Sequence, residues 1–101
     1  MDGPDEVIHQ TTRLRIMSTL VALHGNKAID FVQLRSFVNA TDGNLGGHLA
    51  TLEKAGYVAI DKEFVDKKPR TTICATRAGR RAFERHTQFL RDILDGSDGP
   101  V

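Results

Sequence analysis

The stretch Thr41-Asp-Gly-Asn-Leu-Gly-Gly-His-Leu-Ala-Thr-Leu-Glu-Lys-Ala-Gly-Tyr57 reads as one short helix with a start, a stop and two unlike faces. Thr41 and Asp42 are N-cap types, whose side-chain oxygens accept bonds from the free amides of a first turn, and Gly56 supplies the stop. Leu45, Leu49 and Leu52 recur at i, i+4 and i+7 and face a core, while the opposite arc carries Gly43, Asn44, Gly47, Ala50, Thr51 and Lys54. That small, polar arc suits close approach to a duplex, where Asn, Thr and His reach base edges and Lys reaches phosphate. An ordinary amphipathic helix with a small solvent side gives the same pattern in isolation. The pair Gly46-Gly47 adds a further signal, because each mid-helix glycine costs roughly 1 kcal/mol relative to Ala. Either a backbone, of protein or of DNA, comes very close here, or the helix firms up on binding.

Outward from this helix the chain alternates signals. Before it, Asp30 caps a helix over about residues 31–38 with the stripe Phe31, Leu34, Phe37 and Val38, and the turn 39–42 makes a helix-turn-helix in which the first helix supports and the second reads. Arg35 and Ser36 lie near that turn as phosphate contacts. After Gly56, residues 57–65 switch to period two, with Val58, Ile60 and Phe64 on one face; residues 66–70 form a cationic turn, and the β-branched run 71–75 returns as the second strand of a hairpin. Two strands alone are marginal in water, so the hairpin must lean on the helices. A basic hairpin directly after a reading helix is a wing.

At the ends, residues 5–24 read as a first helix stopped by Gly25, with acids at its start and an apolar arc from Leu14 to Leu23 wide enough to imply a second burial partner. Residues 26–30 form a turn with one short strand. Thr76 caps a last helix over about residues 77–94, whose stripe Ala82, Phe83, His86, Phe89, Leu90, Ile93 and Leu94 approximates a/d positions over about two heptads, enough for an interhelical seam but not for an independent coiled coil. This arrangement favours a dimer through the first and last helices; a helix that simply closes its own domain is the alternative.

A chain of 101 residues is one domain, and its 40% hydrophobic and 27% charged content is ordinary for a globular protein. The net charge of +1 is not that of a strongly basic nucleic-acid binder, but the distribution is uneven: residues 61–85 hold eight Lys/Arg against four Asp/Glu. The longest apolar run, residues 20–23, is far short of the ~20 residues of a membrane span. With an acidic start unlike a signal peptide and one cysteine, a cytoplasmic location without membrane contact is expected.

No phosphate loop, nucleophile with a nearby base, or spaced carboxylate pair supports an enzyme. The metal-binding candidates His9, His24, His48, His86 and Cys74 show no ligand spacing, although His9 and His86 could meet across a dimer; no metal and no cofactor are expected. Cys74, between Ile73 and Ala75 in a strand, reads as an inert buried thiol. The serious rival to DNA binding is a winged-helix module that binds protein, which does not require a cationic wing.

The segments Arg13-Leu-Arg-Ile-Met-Ser18, Thr41-Asp-Gly-Asn-Leu45, His48-Leu-x-x-Leu-Glu-x-Ala-Gly-Tyr-Val58, Lys62-x-Phe64, Pro69-x-Thr71 and Gly79-Arg-x-Ala-Phe83 (x, any residue) together resemble the small single-domain winged-helix transcription regulators of the broad MarR/ArsR type. The resemblance implies an α+β, mostly α fold: a winged helix-turn-helix with a three-helix core, a β-hairpin wing and a long C-terminal helix. It places residues 1–95 in one DNA-binding domain with dimerisation helices at both ends and residues 96–101 in a disordered tail. It implies that Asn44, Gly47, His48 and Thr51 enter or edge the major groove and that Lys67, Lys68 and Arg70 form the wing tip. The full expected DNA-binding set adds Arg35, Ser36, Thr41, Lys54, Lys62 and Thr71. A twofold homodimer, with Val7, Ile8, Leu14, Phe83, His86, Phe89, Leu90, Ile93 and Leu94 at its interface, would address two half-sites of double-stranded DNA, most simply as a repressor. A small-molecule effector would have to act at the dimer seam. Two departures stand out: Gly46-Gly47 replaces Ser or larger residues, and Ala75 stands where such proteins usually carry Leu, which implies looser packing of the second wing strand.

Overall fold

A computed structural model describes residues 3–23 and 27–96. In chain order the elements are α1 (Thr11–Ala22), β1 (Ile29–Asp30), α2 (Phe31–Val38), α3 (Asp42–Lys54), β2 (Val58–Val65), β3 (Lys68–Ala75) and α4 (Arg77–Leu94). Each helix start follows from a side chain that satisfies a free amide. Thr41 Oγ1 accepts from Asn44 N–H at 3.2 Å, Asp30 Oδ1 accepts from Val32 N–H at 2.8 Å, and Thr76 Oγ1 accepts from Gly79 N–H at 3.0 Å. The end of α3 is a Schellman turn: Gly56 sits at φ +82°, its N–H donates to Glu53 O, and Tyr57 N–H reaches back to Leu52 O at 2.9 Å.

The first helix is shorter than its periodicity suggests. Asp5 does not open it; its Oδ1 instead accepts from the N–H groups of Val7 and Ile8 and closes a separate turn at 5–8. Gln10 then caps α1 through Arg13 N–H. The expected stop at Gly25 lies outside the described residues, as do His24 and residues 97–101 of the expected tail. The helix α4 is followed by Gly96, at φ +73°.

The short strand expected within 26–30 is β1, and it joins the hairpin as a third strand. The antiparallel sheet has the order β1-β3-β2, with Ile29 opposite Ile73 and Asp30 opposite Thr72. The turn expected at 66–70 contracts to Asp66-Lys67, both at positive φ (52° and 66°), which is the signature of a type I′ turn. Its twist matches the flanking strands, so pairing begins at once with Val65 opposite Lys68. Pro69 therefore lies inside β3, opposite Phe64 and beyond the reach of β1, where no neighbour requires its missing N–H.

The core joins Ile16, Met17 and Leu20 of α1, Leu34 and Val38 of α2, the three leucines of α3, Val58 and Ile73 of the sheet, and Ala82 of α4. Ile8 of the N-terminal turn is fully buried in it, and Ala75 is buried as well. Phe64 departs from the expected alternation. It follows Val58 and Ile60 on one face of β2, but the strand has by then left the helices and the ring is 78% exposed. The molecule measures 61 × 26 × 21 Å, and its radius of gyration of 14.9 Å exceeds the ~13 Å of a compact chain of this length. No described helix is long and apolar enough to cross a membrane.

Candidate nucleic-acid interface

The helix α3 has three environments around its circumference. Leu45, Leu49 and Leu52 are buried; Asn44, Gly47, Thr51 and Lys54, spaced three, four and three apart, form one exposed stripe without an apolar side chain. Gly46, Ala50 and Glu53 face the wing across an open groove of about 620 Å³, closed on the other side by Phe31, Ile60, Lys62 and Thr71. A Cβ built on Gly46 or Gly47 meets nothing within 4 Å. The two glycines are therefore not required by packing within the protomer, and they leave the outer surface of α3 low enough for a duplex to approach its backbone.

Several expected contacts already have protein partners. Arg35 Nη1 lies 2.6 Å from Asp42 Oδ1 and joins α2 to the first turn of α3, with both side chains open to solvent. Arg70 Nε is 3.6 Å from Asp30 Oδ2, which ties the wing to β1. Thr41 is the N-cap, and Thr51 Oγ1 donates to Gly47 O at 3.2 Å, leaving its oxygen lone pairs outward. Ser36, Lys62, Lys67 and Lys68 are exposed and Thr71 is half-buried. Only half of the eight basic residues in 61–85 belong to the wing. Arg77, Arg80, Arg81 and Arg85 ride on α4, and Arg80 donates to Val21 O and Leu23 O at the end of α1.

His48 lies at the edge of the stripe, half-buried, with Arg13 Nη1 at 3.2 Å from its Nδ1. Burial, reinforced by the Arg13 charge, holds the imidazole below the ordinary histidine range. Arg13 Nε donates to Val7 O, so one guanidinium bridges the N-terminal turn and α3. Asp5 completes the connection: its Oδ2 accepts from Tyr57 Oη at 2.7 Å, and its N–H donates to His86 Nδ1 at 3.1 Å. Burial, with Asp5 adding to it, pushes the Tyr57 phenol up, whereas burial and His9 push His86 down. Sequence reasoning assigns no site role to Arg13, Asp5 or Tyr57. Their side chains meet partners 52 and 35 residues away in sequence, and no local periodicity encodes that meeting.

The expected dimer stripe divides in two. Ile8 and His86 are buried inside the protomer and belong to its core, because the N-terminal turn folds over α4 at this point. His9 and His86 meet within one protomer, edge to face at 5.8 Å, rather than across two copies. Val7, Leu14, Phe83, Phe89 and Leu90 are half-buried, and Ile93 and Leu94 are 51% and 83% exposed. Cys74 is half-buried rather than enclosed.

Residues 12–94 match the model of a family described as the winged helix DNA-binding domain. The chain belongs to that family. A relative of this winged-helix domain, an uncharacterised protein of Methanocaldococcus jannaschii, is 33% identical over 89 residues, spanning 88% of this chain and 90% of its own. The solved structure of a transcriptional regulator homologue from Pyrococcus horikoshii OT3 superposes with a TM-score of 0.83 at 30% identity, over 93% of this chain and 90% of that one. A MarR-family transcriptional regulator from Silicibacter pomeroyi shares the fold at 22% identity and a TM-score of 0.67, over 94% of this chain and 62% of that one. The element order, the helix-turn-helix of α2 and α3, and the β2–β3 wing are those of a winged-helix DNA-binding domain, and the regulator homologue from Pyrococcus horikoshii shares them.

Proposed function

We propose that this winged-helix domain is a sequence-specific transcriptional regulator that binds duplex DNA as a homodimer and represses by occupying its site. The observation that carries the reading is the exposed stripe Asn44, Gly47, Thr51 and Lys54, which lacks any apolar side chain and stands beside a wing whose Lys62, Lys67 and Lys68 are all exposed. In this reading Asn44, His48 and Thr51 meet base edges, while Lys54, the wing lysines, Arg70 and Thr71 meet the sugar-phosphate backbone, with Arg35, Ser36 and Thr41 beside it. Asp42 and Asp30 orient Arg35 and Arg70 and leave part of each guanidinium for phosphate. A second copy would cover the exposed end of α4, where Ile93 and Leu94 are left open to solvent within the protomer. Half-sites would then lie ~34–36 Å apart or a multiple of that. A small-molecule effector would act at that seam by changing the spacing of the two α3 helices.

The test is binding to duplex taken from immediately upstream of the gene, against scrambled duplex, over a salt series, with the solution mass measured alongside. Tighter upstream binding, a steep negative log-salt slope and a dimer mass are expected. Lys67→Ala, Lys68→Ala and Arg70→Ala should weaken binding to every sequence and reduce the slope by about 0.9 for each phosphate that is no longer neutralised. Asn44→Ala and Thr51→Ala should instead reduce discrimination. Equal losses on all sequences from both sets would remove base reading from α3, and no binding at low salt would shift the reading to protein recognition.

A further inference from the structure

The edge of α3 that faces α1 carries a contact whose chemistry has one consistent assignment. Arg13 Nη1 lies 3.2 Å from His48 Nδ1. A guanidinium has only donors and stays protonated across the range in which proteins fold. The Nδ1 atom must therefore present a lone pair, and the single hydrogen of the neutral ring is on Nε2. An imidazolium would set one N–H against another, so the same contact disfavours the charged ring.

The opposite nitrogen has no hydrogen-bond partner among the described residues, and no buried side-chain nitrogen or oxygen among them lacks a partner. Nε2 is thus open to solvent. It belongs to a residue one helical turn from Asn44 and Thr51, at the rim of the exposed stripe.

We propose that Arg13 is a positioning residue that fixes His48 as a neutral Nε2–H donor toward DNA, so that this position reads an acceptor and adds no titrating charge. The inference rests on α3 being the DNA-reading helix. The acceptor is a base edge (guanine O6 or N7, adenine N7, thymine O4) or a phosphate oxygen. The groups around His48 do not supply another source of pH dependence. Arg13 is the charge facing it from α1, its own-helix neighbours Asn44 and Thr51 are uncharged, and the acid of the N-terminal turn, Asp5, is engaged by Tyr57 and two backbone N–H groups. Val7 O anchors the other end of the guanidinium and fixes its direction.

The test uses the full chain with Arg13→Met, Arg13→Lys and His48→Gln, each first checked for a cooperative melt. Nitrogen-15 NMR of the His48 ring in the free protein should show Nδ1 as the acceptor and Nε2 as the protonated atom. Arg13→Lys, which keeps a cationic donor, should preserve that pattern. Arg13→Met should release the ring to mixed tautomers and move its titration up toward the ordinary value of about 6.5, while burial still holds it below that value. In duplex binding at constant salt, the wild-type affinity should stay level as pH falls through that value. Arg13→Met should lose about three- to tenfold above it, the scale of one hydrogen bond, and recover as the imidazolium forms and pairs with phosphate. The double variant Arg13→Met His48→Gln should bind without that recovery. A loss confined to the preferred duplex assigns the acceptor to a base, and an equal loss on scrambled duplex assigns it to phosphate. A wild-type ring protonated at Nδ1, or a pH profile unchanged in Arg13→Met, would overturn the positioning role. An intact ring pattern in a protein that binds no duplex would leave the Arg13 pairing and overturn its purpose in DNA binding.

Discussion

Replacing Gly79 by alanine should be the most damaging glycine-to-alanine change among the described residues, and its size follows from the contact it creates. A Cβ at this position would stand 2.0 Å from the Tyr57 carbonyl oxygen and 2.8 Å from its carbon, where real Cβ contacts do not fall below 3.0 Å. The obstacle is backbone, so no rotamer change can relieve it, and α4 must withdraw by at least about 1 Å. That withdrawal pulls on Thr76, whose N–H donates to Tyr57 O at 3.0 Å and whose hydroxyl donates to Gly56 O at 2.6 Å. Overpacking of this kind costs about 1–3 kcal/mol and each hydrogen bond about 1 kcal/mol, while the alanine returns about 1 kcal/mol of helix propensity. The net cost is about 2–4 kcal/mol, a fall in melting temperature of about 10–25 °C for a domain of this size. Gly46→Ala is the matched control: its Cβ meets open space, so the same substitution should raise the melting temperature by a few degrees. Circular-dichroism melts of both variants decide the matter. A Gly79→Ala protein that melts at or above the wild type would refute the argument from the Tyr57 carbonyl.

Other consequences can be measured with the same protein. Lys67→Gly removes a side chain from a residue at φ 66°, and should gain from a few tenths to about 1 kcal/mol in urea unfolding while lowering the salt slope of duplex binding by about 1. Tyr57→Phe deletes the bond to Asp5 and should cost about 1–2 kcal/mol; an unchanged urea midpoint would mean that the carboxylate finds water at no loss. His48 and His86 both have folded pKa values below their unfolded ones, so the unfolded chain binds more protons just below about pH 6.5. Their contribution is complete above that value and is lost as pH falls through the folded values. Urea midpoints should therefore drop between about pH 7.5 and 5.5, and less so in the pair His48→Gln His86→Gln. A wild-type midpoint level over that window would contradict the assignment.

The parts of the fold that are legible in the sequence are those whose cause is local. Thr41, Gly56 and the leucines of α3 sit within one helix length of each other, so capping and periodicity suffice to place that element. Thr76 and the stripe of α4 are legible for the same reason. The short wing turn is not, because the type I′ geometry is adopted by Asp66-Lys67 without the Asn-Gly or Gly that announces it. The strand β1 is legible as a short strand but its place is not, since its two residues take their neighbours, Ile73 and Thr72, from the far side of the hairpin. Periodicity also overextends the first helix, because Val7 and Ile8 continue the apolar pattern of α1. Their amides, however, bond to Asp5, and Ile8 enters the core from a turn.

The site divides along the same line. Which face of α3 is exposed follows from the helix period alone, whereas what holds that face in place depends on Arg13, Asp5 and Tyr57, whose partners are far away in sequence. This explains why Ile8 and His86 read as seam residues: an apolar stripe states that a residue is covered but not by which part of the molecule, and here Ile8 enters the protomer's own core from the N-terminal turn, while that turn covers His86. The same reasoning gives weight to Ile93 and Leu94. They continue the stripe of α4 past the last residues that the protomer can cover, so on α4 an interface between copies is best sought there. Ile93→Glu with Leu94→Glu should accordingly lower the solution mass while leaving the melt cooperativity intact, because neither side chain belongs to the buried core. A dimer that survived both charges would move the interface to the half-buried Val7, Leu14 and Phe83, closer to the body of the domain.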